Sequence, residues 1–106
     1  MPNGKMGKIF KQMQKMQSEM MKLQEEVSSR TVEASSGGGA VRAVVSGAKE
    51  LLELKLDPQL LQEEDVEMLQ DLIISAVNEA LRQADKMVSE KMQKLSGSLG
   101  LPKDLL

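Results

Sequence analysis

The sequence predicts an α+β fold in the order helix, three antiparallel strands, helix, within a single domain spanning residues 1–106. Three observations carry that reading. Apolar residues recur every three or four positions in two long stretches, one toward each end of the chain. Between them lies a segment of β-branched residues and alternating leucines, punctuated by glycine. No Cys and no His occur, so neither a disulfide framework nor a zinc cluster of the usual ligands organises the fold, and burial of apolar surface has to do so.

In the first stretch Met6, Ile9, Met13, Met16, Met20, Leu23 and Val27 are spaced 3, 4, 3, 4, 3, 4, a heptad seam. Gln and Glu fill much of the remainder and favour the helix, and Ser28-Ser29 weakens it where the period ends, which places helix 1 at about 6–28. Lys8, Lys11, Lys15 and Lys22 fall on a second face roughly 130° from the seam. Strands are expected at about 30–35, 40–46 and 50–56: Gly37-Gly38-Gly39 supplies a first turn, Ser46-Gly47-Ala48-Lys49 a second, and Leu52, Leu54 and Leu56 alternate with Glu53 and Lys55 so that the sheet has one buried face.

Asp57-Pro58 ends the third strand, because proline cannot donate to a ladder. Helix 2 is expected at about 64–95, with Glu63, Glu64, Asp65 and Glu67 near its first turn, where the macrodipole favours carboxylates. Its apolar stripe includes Leu72, Ile73, Ala76, Val77, Ala80 and Leu81. The remainder, 97–106, contains glycine and proline without periodicity and reads as a loose tail. Helices of about 34 and 48 Å exceed or match a domain diameter of roughly 35 Å. The C-terminal third of helix 2 therefore projects, and an obligate homodimer follows, its candidate seam being Ile9, Met13, Met16, Met20, Leu23 and Val27 with Leu72, Ile73, Ala76 and Val77.

Composition removes many functions. Without Cys and His there is no thiol or imidazole nucleophile, and the carboxylates sit at positions expected to be exposed, so no catalytic constellation, no metal site and no cofactor are expected. One Phe with no Trp or Tyr excludes aromatic stacking on unpaired bases. Gly37-Gly38-Gly39 lacks the Gly-Lys-Ser/Thr that opens a helix in a phosphate-cradling loop. The N-terminus has no apolar run of a signal peptide, which gives a cytoplasmic protein; neither a membrane nor a small-molecule substrate is expected among its partners.

The net charge of −2 and a pI near 5.2 conceal a polarity. Residues 1–30 carry six cations against three acids, +3, with no acid in the first sixteen; residues 49–67 carry two against seven, −5.

The strings SSGGGAVRAVVSG, LKLDPQLLQEEDVEMLQDLI, AVNEALRQAD and KQMQKMQSEMMKLQEEV together resemble the YbaB/EbfC family of bacterial nucleoid-associated proteins over nearly the whole chain. The resemblance implies an α-β-β-β-α subunit in an intertwined homodimer with helices projecting as tweezer arms, and binding to double-stranded DNA in the nucleoid with little sequence preference. It carries over no base-reading motif. The basic residues of helix 1, Lys5, Lys8, Lys11, Lys15 and Lys22, become the first candidates for phosphate contact, and Arg82, Lys86, Lys91 and Lys94 form a second group that Asp85 and Glu90 partly cancel. The alternative is a dimeric helical scaffold that grips a protein partner and has no direct DNA role, a reading the acidic pI favours.

Overall fold

The structure, a computed structural model, describes residues 3–98. Helix α1 covers Asn3–Ser29, strands β1 Thr31–Ser36, β2 Val41–Ser46 and β3 Leu51–Leu56, and helix α2 Val66–Ser98. The order α-β-β-β-α is as the sequence predicts, and the three strands form one antiparallel sheet in the order β1-β2-β3.

Each turn has its own local cause. Gly37, Gly38 and Gly39 all have positive φ, at 61°, 69° and 96°, a run that side chains with a Cβ rarely adopt. At its edge the Ser36 hydroxyl donates to the Leu72 carbonyl at 2.6 Å and fastens the turn to α2. The second hairpin loop is Gly47-Ala48-Lys49, with Lys49 in the left-handed region at φ 65° and its N–H donating to the Ser46 carbonyl at 2.9 Å. Gly47 is there for space: a Cβ would collide with the Val27 carbonyl at the end of α1, to which the turn is held by the Gly47 N–H donating to the Arg30 carbonyl at 2.9 Å.

Pairing places Val32 opposite Val45 and Ala34 opposite Ala43, then Val41 opposite Leu56 and Ala43 opposite Leu54, so these side chains share one face. Val41, Ala43 and Val45 are fully buried against Ala76, Ala80 and Ala84, equally buried on α2. Alanine at i, i+4 and i+8 gives α2 a smooth ridge, which lets its backbone sit close to the sheet.

The sequence reading is corrected in four places. Helix α1 starts three residues earlier than about 6, at Asn3, since asparagine and glycine are poor formers of a helix interior but are accommodated at its start. Helix α2 starts at Val66: the Asp65 carboxylate accepts the Met68 N–H at 2.9 Å as an N-cap, so Glu63 and Glu64 precede the helix and only Glu67 lies in its first turn. Gly97 does not stop α2, since glycine permits a left-handed residue without requiring one; of the expected tail 97–106, Gly97 and Ser98 are helical and residues 99–106 lie outside the described residues. Finally, the sheet face is not buried across all three strands. Helix α2 lies over β1 and β2, and Leu51, Leu52 and Leu54 of β3 stay exposed. A bulge adds to this: Val44 pairs with Glu53 and Val45 with Leu51, leaving Leu52 as the extra residue.

Beyond Ala84 the helix leaves the sheet, and the C-terminal half of α1 runs antiparallel beside it, with Lys91 reaching Glu26 at 3.8 Å and Leu95 lying near Glu19 and Leu23. The N-terminal half of α1 continues beyond this contact. The result is 79 Å long and only 22 × 16 Å across, with a radius of gyration of 20.7 Å where a compact chain of this length has about 13 Å.

Candidate nucleic-acid interface

The projecting arm consists of α1 and the last third of α2. Its amphipathic character follows from the sequence period, and the seam divides along its length. Val27 is buried, Met16, Met20 and Leu23 are half-buried, and Ile9 and Met13 are exposed, as are Met6 and Phe10 beside them. Of the other seam candidates, Ala76 is fully buried and Leu72, Ile73 and Val77 are half-buried against the sheet of their own subunit.

Lys8, Lys11, Lys15 and Lys22 are exposed, and none makes an ion pair among the described residues. At 1.5 Å per residue they extend over about 21 Å of helix, within an arc of about 60°. Lys5 belongs to the same helix. The second group is less available. Arg82 donates to the Glu79 carboxylate through Nε at 3.0 Å and Nη2 at 2.7 Å, and this hydrogen bond, reinforced by the guanidinium charge, lowers the Glu79 pKa below its ordinary value. Lys91 is turned toward Glu26. Lys86 and Lys94 remain exposed and without an ion pair among the described residues. Asp85 does not offset Arg82 or Lys86 as the spacing predicts; it takes Lys49, at 2.6 Å, across the loop between β2 and β3.

What the sequence could not signal is this sorting of the cations into paired and unpaired. Arg82 and Lys86 look equivalent at i, i+4, yet the Glu79 side chain three residues back selects Arg82. Among the described residues no three metal-ligating side chains converge, and no helix is long and apolar enough to cross a membrane.

The model of the YbaB/EbfC DNA-binding family matches residues 2–99. The chain belongs to the YbaB/EbfC DNA-binding family. Among its relatives, a nucleoid-associated protein of Moorella thermoacetica is 54% identical over 102 residues, covering 96% of this chain and 98% of the relative. Another, from Pelotomaculum thermopropionicum, is 51% identical, covering 96% and 97%. In three dimensions the chain is similar to an uncharacterized protein of Helicobacter pylori solved by crystallography, with a TM-score of 0.58, 32% identity and coverage of 79% of this chain and 93% of that one.

Proposed function

We propose that the protein is a cytoplasmic homodimer that binds double-stranded DNA through the phosphate backbone, with little sequence preference, and takes part in organising the nucleoid. The observation that carries this reading is the unpaired lysine face of α1, Lys8, Lys11, Lys15 and Lys22, with Lys5 on the same helix and Lys86 and Lys94 as a secondary contribution. Cations without an internal partner give up no intramolecular pair on meeting phosphate, and each phosphate neutralised releases condensed counterions. Lysine is a flexible point charge that fits a phosphate in many orientations, which suits backbone contact better than base readout. The names of the relatives, nucleoid-associated proteins, agree with this role.

Dimerisation has its own support in the uncovered third of the sheet. Asp85 reaches Lys49 at the β2–β3 loop, and Ile74, eleven residues earlier, lies on nearly the same side of α2. Exposed Ile74 therefore lies on the side of α2 that is turned toward β3, where Leu51, Leu52 and Leu54 are also exposed, and this apolar surface is the one a second copy covers.

The test is fluorescence anisotropy of two labelled duplexes of unrelated sequence. Backbone recognition gives matching affinities for the two that fall together with salt. No binding to either at low salt overturns the reading and leaves the protein-binding scaffold.

A further inference from the structure

The fold places the two charged segments of this chain at opposite ends of a 79 Å molecule. Residues 3–18, the free half of the arm, carry four lysines and no acid. Residues 57–71, joining β3 to α2 and opening that helix, carry six carboxylates and no cation. The arm leaves the sheet from the Gly47 end, whereas the junction lies at the Gly37 end, where Ser36 meets Leu72, so the two cannot meet within one subunit.

Neither end is neutralised locally. Asp57 and Asp65 are occupied as caps, accepting the N–H groups of Gln59 at 3.0 Å and Met68 at 2.9 Å. The side chains of Glu63, Glu64, Glu67 and Asp71 make no ion pair and no hydrogen bond among the described residues, and all four residues are exposed. Lys8, Lys11 and Lys15 are in the same condition at the far end. A surface of one sign with no internal partner attracts its complement, and this chain carries that complement.

We propose that the lysine face of α1 is also a docking surface for a second copy of this chain, which presents its β3–α2 junction to it, and that DNA and the junction compete for the same lysines. The two contacting surfaces differ and lie at opposite ends of the molecule, so the contact either closes reciprocally on an antiparallel pair or adds copies head to tail. The junction, an acidic stretch on a helical start, stands in for the polyanion when DNA is scarce. At low ionic strength a net-acidic protein thereby covers its basic arm until DNA displaces the neighbour. The competition rests on the proposed DNA contact; the self-contact does not.

The experiment is sedimentation velocity of the full chain without DNA, at about 10 mM and about 0.15 M salt, between which the Debye length falls from about 30 to about 8 Å. Expected is a weight-average mass at low salt at least about twofold above that at the higher salt. The variants K8E/K11E/K15E and E63K/E64K/E67K, each checked for wild-type helicity by circular dichroism, should lose this increase when alone and regain it when mixed, since the acidic arm of one then meets the basic junction of the other. An unlabelled duplex added to the wild type should dissolve the larger species. A mass independent of salt, or a mixture that fails to recover, overturns the self-contact while leaving DNA binding to be read separately by anisotropy; larger species that persist under excess duplex overturn the competition.

Discussion

Replacing Lys8, Lys11 and Lys15 by Gln removes three cations that lie within about 10 Å of helix axis on one side of α1 and that have no ion pair among the described residues. Because no internal pair is broken and the side chains are exposed, the fold and the helix should be unaffected, and the change reports on what these lysines meet outside their own subunit. Each phosphate no longer neutralised flattens the slope of log affinity against log salt by about 0.9, so three per arm flatten it by about 2.7. Between 50 and 200 mM salt that difference amounts to about 40-fold: the variant binds more weakly at low salt but loses about 40-fold less on the rise. If both arms of a dimer grip the same duplex, the flattening doubles to about 5.4. The assay is anisotropy of a labelled duplex over a salt series, the label being needed because the protein has neither Trp nor Tyr. An unchanged slope in a folded variant would refute the assignment of phosphate contact to α1.

Three further outcomes follow from the geometry. Arg82 is occupied by Glu79, so Arg82→Gln should flatten the same slope less than one lysine change does, and it should raise the Glu79 titration toward its ordinary value in a carboxyl NMR titration. The sign is fixed by the lowered folded pKa: the contribution of Glu79 to stability is present above its unfolded value and is lost as pH falls through the folded one, a dependence that Arg82→Gln weakens. Gly47→Ala forces a Cβ against the Val27 carbonyl and should cost about 1–3 kcal/mol in chemical denaturation, with the arm displaced relative to the sheet. For the dimer, light scattering should give twice 11.6 kDa at about 0.15 M salt, and Leu52→Glu with Leu54→Lys should give a monomer; a variant that remains dimeric removes β3 from the interface.

Much of the fold is legible because its elements are specified locally. The 3-4 spacing from Met6 to Val27, the Gly37-Gly38-Gly39 run and Asp57-Pro58 each admit few conformations, and the structure has a helix, a turn and a strand end there. The misreadings arise where a tertiary choice decides. Leu52, Leu54 and Leu56 alternate as an inward face should, but whether that face is covered depends on where α2 crosses, and its alanine ridge settles over β1 and β2. Gly97 and the Asp65 cap show the usual limit at helix ends, where a permissive residue gives no fixed boundary. At the candidate site the lysine face is visible as periodicity, whereas the pairing of Arg82 with Glu79 and of Asp85 with Lys49 depends on side-chain reach, which sequence spacing alone does not resolve.

Phosphate contact through α1 requires the arm to lie against the duplex. Since the chain contains no cysteine, single cysteines can be introduced at Gln12, exposed beside the lysine face of α1, and at Glu63, in the junction at the far end, and each can carry a chelated iron that generates hydroxyl radicals. At about 0.15 M salt, strand cleavage from position 12, spread evenly over duplexes of unrelated sequence, together with none from position 63, is the predicted result. Cleavage from position 63 with none from position 12 contradicts it.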